Sequence, residues 1–156
     1  MTSPTPNKAT VTNTSCLIAL ESIARLDLLQ ALYQNVVIPP AVASEWGTPA
    51  PQWVKVIAIQ NQALAQALRM QLGPGEAEAI TLAVEISANR LILDDQRARS
   101  IATSLQVPVT GTVGIALRAK QQGILPLVRP IFDDLRAAGF WLSDALYQQG
   151  LQLAGE

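Results

Sequence analysis

Apolar positions along the chain fall into short runs of three to six residues, separated by longer stretches with helical spacing. Residues 9–13 (ATVTN) are rich in β-branched side chains and predict a strand. Thr14 and Ser15 then offer a cap for a helix through Leu17, Ile18, Ala19 and Leu20. Residues 25–32 repeat their apolar positions at helical spacing. Residues 36–38 (VVI) form a buried-strand pattern closed by Pro39 and Pro40. Pro40 suits the first turn of a helix that carries Val42, Glu45 and Trp46. The run 47–51 (GTPAP) breaks the chain.

Residues 54–59 (VKVIAI) alternate as an edge strand would, and residues 62–71 are helical. Gly73-Pro74-Gly75 reads as a break, followed by a helix over 76–87 (EAEAITLAVEIS) whose first-turn acids suit the helix dipole. A buried strand, 90–93, ends at Asp94-Asp95, and a helix follows over 96–105. Residues 107–109 predict a last strand. Gly111-Thr112 leads into a helix through Lys120 that Gly123 ends. Residues 131–153 hold two more helices, split by Gly139 and capped near Ser143-Asp144.

Strands alternating with helices through short connections predict an α/β fold with a parallel sheet covered on both faces. Such sheets gather functional residues at the carboxyl ends of their strands, which selects Asn13, Asp94 and Asp95. The 156 residues suit a single domain, expected over 9–153, after a disordered lead over 1–8. With 49% hydrophobic and only 4% aromatic residues, aliphatic side chains must fill the core. No apolar run reaches the roughly 18 residues of a membrane span. The start is polar and lacks a signal peptide's apolar stretch, so a cytoplasmic protein is expected.

Two compositional facts narrow the chemistry. The lone Cys16 excludes an internal disulfide and a cysteine zinc cluster, and its apolar context predicts a small buried hydrophobe. Histidine is absent altogether, which removes Ser-His-Asp and Cys-His catalysis and histidine-bound metals. Hydrolytic chemistry must then rest on carboxylates, lysines, hydroxyls or a metal. The net charge of −1 supplies no bulk attraction for nucleic acid, so binding it requires a local basic patch or a basic partner.

Glu45, Glu76, Asp94 and Asp95 stand out by position, joined by Asn13. Glu76 starts a helix that must run back across the sheet to feed the strand ending at Asp94, so both belong to the carboxyl edge. Glu45 lies one turn into a helix that follows another strand. Crowded acids raise one another's pKa, and a divalent cation relieves the repulsion. Mg²⁺ and Mn²⁺ prefer such oxygen ligands and suit phosphodiester hydrolysis without histidine. Each residue alone has a plainer role: Glu76 as a helix-dipole partner, Asp94 or Asp95 as a cap, Glu45 as a surface acid, Asn13 as a turn residue. Glu78 is expected to face solvent. A phosphatase using Asp94 as nucleophile would want a balancing lysine. The lysines are Lys8, Lys55 and Lys120, and none follows a strand end suggestively.

In order and spacing these segments resemble the PIN-domain family. The segment 13–20 (NTSCLIAL) looks like its opening strand and helix, and 37–45 (VIPPAVASE) is similar to the second motif with its helix-borne Glu. Residues 75–83 (GEAEAITLA) and 91–99 (LILDDQRAR) resemble the third and fourth motifs. Residues 111–123 (GTVGIALRAKQQG) and the tail to Tyr147 look like a prokaryotic subfamily related to VapC-type toxins. The resemblance implies a three-layer α/β/α sandwich and a Mg²⁺- or Mn²⁺-dependent endoribonuclease, usually dimeric and blocked by a small antitoxin. It also implies Glu45, Glu76 and Asp94 as acidic ligands, Asp95 as alternative to Asp94, and Asn13 at the first-strand position. Thr112 occupies a further polar position of the family, and Ser15 would orient the first-strand side chain. Arg97 and Arg99 would hold RNA phosphates. Position 13 departs from the family, which generally carries Asp there. Asn still offers a carbonyl oxygen but no charge, which lowers metal affinity and opens a second reading, a PIN fold kept as a non-catalytic binding module.

Overall fold

A computed structural model of the chain describes residues 9–156; the expected lead over 1–8 lies outside the described residues. The elements run β1 (Thr10–Thr12), α1 (Thr14–Ser22), α2 (Asp27–Leu32), β2 (Val36–Ile38), α3 (Pro40–Trp46), β3 (Val54–Val56) and α4 (Gln62–Arg69). They continue α5 (Pro74–Glu85), β4 (Arg90–Ile92), α6 (Gln96–Ser104), β5 (Val109–Thr110), α7 (Thr112–Gln121), α8 (Arg129–Ala137) and α9 (Asp144–Leu153). The strands form one sheet in the order β3-β2-β1-β4-β5. Every pairing is parallel, with Val11 beside Val37 on one side and beside Leu91 on the other. Helices flank this sheet, giving the expected α/β/α sandwich.

The strand sequences follow from that placement. β1, β2 and β4 carry Val11, Val36, Val37, Ile38, Leu91 and Ile92, all buried, because helices cover both faces. β3 is one of the two edges: only Val54 is buried, and Lys55 and Val56 are exposed, a charge on the edge that discourages pairing with another chain. Long aromatic side chains are scarce, and Leu, Ile, Val and Ala fill most of the core around Phe132. Among the described residues, no helix is long and apolar enough to cross a membrane.

Several boundaries differ from those read along the chain. α5 starts at Pro74, inside the expected break. Proline is tolerated at a helix's first position because that N–H has no partner within the helix. The early start sets Glu76 in the first turn. α8 likewise starts at Arg129, with Pro130 in its first turn. The cap of α1 is Asn13 rather than Thr14 or Ser15: its Oδ1 accepts from the Cys16 N–H at 3.3 Å. β3 ends at Val56 rather than residue 59, and β5 is Val109–Thr110 rather than 107–109. The β5 register is set by β4, whose flanking Leu91 and Leu93 N–H groups donate to Pro108 and Thr110 carbonyls at 2.8 and 2.9 Å.

One helix contact tests the packing of the C-terminal helices. A Cβ on Gly150 of α9 would lie 2.7 and 2.9 Å from two ring carbons of Phe132 on α8, and Phe132 is completely buried. A ring enclosed on all sides has nowhere to swing. Gly150→Ala is therefore expected to cost about 1–3 kcal/mol despite alanine's better helix propensity. Urea denaturation checks this, and an unchanged or raised stability would refute the contact.

Candidate functional site

The sheet order places a crevice at one point. The chain runs outward from β1 through β2 to β3, then returns to lay β4 on the other side of β1. Connections leave β1 and β4 in opposite directions, which opens a cleft at their carboxyl ends. Asn13 follows β1 there, with its N–H donating to the Ile92 carbonyl at 3.1 Å. Its side chain is 1% exposed, and its Nδ2 donates to Ser15 Oγ at 3.4 Å.

Asp94 follows β4 at the same edge. Its Oδ1 accepts from the Thr112 N–H at 2.8 Å and its Oδ2 from the Thr112 hydroxyl at 2.6 Å. Gly111 permits this approach, since a Cβ there would lie 2.9 Å from Asp94 Oδ1 and 2.7 Å from Arg99 Nη1. Burial pushes the Asp94 carboxyl above the ordinary aspartate value, although both Thr112 bonds and the charge of Arg99 pull the other way. Cys16 lies against this pair. Burial first, and then the Asp94 charge, push its thiol up to about 12. The buried thiol is thus held protonated and acts as the small hydrophobe expected from its context, not as a nucleophile.

A second group of acids lies along the same edge. Glu45 Oε1 accepts from the Gly75 N–H at 2.9 Å and Oε2 from the Thr14 hydroxyl at 2.6 Å. Glu45 thereby ties α3 to the starts of α5 and α1. Partial burial raises the Glu76 pKa, with the charges of Asp95 and Glu45 adding to it against a hydrogen bond from the Gly73 backbone. Asp95 is exposed and caps α6, its Oδ2 accepting from the Ala98 N–H at 2.9 Å. The acids therefore form two lobes: Asp94 with Thr112, Cys16 and Arg99, and Glu76 with Glu45 and Asp95. Among the described residues, no three His, Cys, Asp or Glu side chains stand close enough to hold a metal ion together.

A sequence model of the PIN-domain family matches residues 9–156. The chain belongs to the PIN-domain family. No curated protein matches it at a significant level. PIN domains are in general nucleases that depend on divalent metal.

The donors of this PIN domain fit such an ion in kind. Carboxylates and one amide carbonyl are hard oxygen ligands, and the charges of Asp95 and Glu45 both act on Glu76. Glu45 and Asp94 each have both oxygens hydrogen-bonded, but a carboxylate oxygen with one donor keeps a second lone pair.

The remaining expected residues divide. Thr112 positions Asp94 through two bonds, and Ser15 contacts Asn13. Arg97 is exposed, whereas Arg99 is half-buried, with Nη1 donating to the Leu93 carbonyl at 3.4 Å. Glu78, expected in solvent, is instead half-buried: it accepts from the Ala41 N–H at 3.1 Å and pairs with Arg69 at 2.8 Å. It satisfies a free N–H at the start of α3, a need that lies in another part of the chain. Thr14, Gly75 and Gly111 were not selected from the sequence. Each glycine directly precedes a site residue, Glu76 or Thr112, and that adjacency was the available signal.

Proposed function

We propose that this PIN domain is a Mg²⁺- or Mn²⁺-dependent endoribonuclease and the toxin of a toxin–antitoxin pair, related to the VapC type. On this reading it works in the cytoplasm as a homodimer, and a small antitoxin protein covers its site. The observation that carries the catalytic part is the meeting of Asn13, Asp94 and Thr112 at the β1–β4 crevice, with Glu45, Glu76 and Asp95 along the same edge. The toxin, dimer and antitoxin follow from the subfamily that the C-terminal segments resemble.

On this reading the ion would draw the two lobes together, with Glu45, Glu76 and Asp94 as its ligands and Asp95 and the Asn13 carbonyl as further oxygen donors, since the three acids do not stand close enough without it. When bound, the ion supplies Lewis acidity toward a phosphoryl oxygen and makes water a better nucleophile at neutral pH. The rest of the work belongs to the chain itself. Thr112 aims Asp94, and Thr14 with the Gly75 N–H aims Glu45. Each aimed carboxylate is held before substrate arrives, which removes reorganisation from the reaction. Arg97 is free to hold a phosphate from the exposed face of α6, and the charge of Arg99 acts on Asp94 in the cleft they share.

Single-stranded RNA incubated with purified protein is expected to be cut in Mg²⁺ or Mn²⁺ and left intact in EDTA. Cleavage that persists undiminished in excess EDTA would overturn the metal-dependent reading. A second reading, a binding module without catalysis, is favoured by Asn13, which brings no charge and whose Oδ1 is also engaged as the cap of α1. Calorimetric titration separates the two: absence of Mn²⁺ binding at millimolar concentration supports the module.

A further inference from the structure

Trp141 is 83% exposed, an unusual position for the largest apolar side chain. The other tryptophans behave differently, with Trp46 buried and Trp53 half-buried. The turn that carries Trp141 is pinned on both sides. Gly139 takes a φ of +95°, the left-handed region that closes α8, and the Phe140 N–H returns to the Leu135 carbonyl at 2.9 Å. The Arg136 guanidinium then donates twice to the Leu142 carbonyl, at 3.2 and 2.8 Å. The Leu142 side chain is buried, and Ser143 caps α9. The neighbours are locked, and the indole alone projects outward.

The location matters as much as the exposure. Trp141 lines a cleft of about 720 Å³ that Asp94, Asp95 and Arg99 also line. It also lines a shallower groove beside Ser15 and Ile18 on α1, the helix that Asn13 caps. The ring therefore borders both depressions, and the larger one contains Asp94. A strand bound at Asp94 can lay a neighbouring nucleotide in the cleft that Asp94 and Trp141 share. Polar Gln96 and Gln149 line the larger cleft with the arginine, a mixture suited to a nucleotide.

We propose that Trp141 is a stacking platform for an unpaired base of the RNA substrate, beside the cleft that it shares with Asp94. The assignment rests on the ribonuclease reading above and adds to it one base-binding residue, which needs a strand with an accessible base face. A paired base within a duplex offers no open face to the ring. Every base has a π-face, so the platform contributes affinity with little sequence preference.

The test uses the full chain with Mn²⁺ and RNA whose linkages resist cleavage, so that binding is read without cutting. Fluorescence anisotropy compares a labelled single-stranded RNA, the same strand with abasic sites, and its duplex. Wild type is expected to bind the intact single strand most tightly. Trp141→Ala should weaken that binding roughly 5- to 100-fold while leaving the abasic and duplex forms unchanged. Trp141→Phe should recover part of the loss. Quenching of tryptophan emission on binding should vanish in both variants. Equal affinity of wild type and Trp141→Ala for the intact strand would overturn the platform alone, and would leave the exposed ring to a protein partner. Absence of RNA binding by wild type would overturn the platform and the ribonuclease reading together.

Discussion

Asp94→Asn is expected to lower RNA cleavage at least about 100-fold without weakening the fold. The carboxylate brings the buried negative charge of the β1–β4 crevice, and several kcal/mol of transition-state stabilisation depend on the cation it attracts. Asparagine keeps the shape. Its carbonyl can still accept from the Thr112 N–H, and the Thr112 hydroxyl can turn to accept from the new amide. Stability should move in the opposite direction from activity. Burial raises the Asp94 pKa in the folded chain above its unfolded value, so ionisation opposes folding. That penalty is absent below the unfolded-state pKa, grows as pH rises from there to the folded-state value, and is fully present above it. Asn removes it, so the thermal midpoint at neutral pH should equal or exceed that of wild type. The advantage should fade as the pH is lowered. Full cleavage activity in Asp94→Asn would remove Asp94 from the chemistry. A midpoint several degrees lower would mean that the carboxylate is a net stabiliser.

Gly75→Ala separates the site from the scaffold in another way. An added Cβ would lie 2.3 Å from Glu45 Oε2 and 2.8 Å from Oε1, inside any allowed contact. Glu45 is exposed at the end of a flexible side chain, so it can swing away at little steric cost. In doing so it gives up the Gly75 N–H and the Thr14 hydroxyl. Alanine is also a better helix former than glycine, which offsets part of the loss. Stability should therefore change by no more than about 1 kcal/mol in urea denaturation. Cleavage should fall at least about tenfold, because a displaced ligand is no longer preorganised. The double variant Gly75→Ala/Glu45→Gln should be barely worse than Glu45→Gln alone, since both act on one carboxylate. Additive losses would show that Gly75 matters for some reason other than Glu45.

The fold was legible because its signals are local. Val36-Val37-Ile38 and Leu91-Ile92 read as buried strands from their own composition, and the helices between them from their spacing. Ends were less legible. Pro74 and Gly75 look like a break to a local reading, yet they open α5, because the N–H groups at a helix start need partners from outside the helix. For Gly75 that partner is Glu45, thirty residues away. Glu78 was misread for the same reason: its partners, the Ala41 N–H and Arg69, belong to α3 and α4.

The sequence by itself determined the α/β class, the aliphatic core, the absence of histidine chemistry, and which acids fall at strand ends and helix starts. These depend on residue type and period, which are properties of short stretches. Only the tertiary structure decided how those acids are grouped. The β4 return beside β1 put Asn13 and Asp94 at one crevice, while Glu76 met Glu45 and Asp95 across α5, α3 and the start of α6. It also decided which oxygens are spent on Thr14, Gly75 and Thr112, and that Trp141 stands clear at the cleft's rim. Such contacts join residues far apart in the chain. Their energies come from burial and charge at distances that no single stretch of sequence contains.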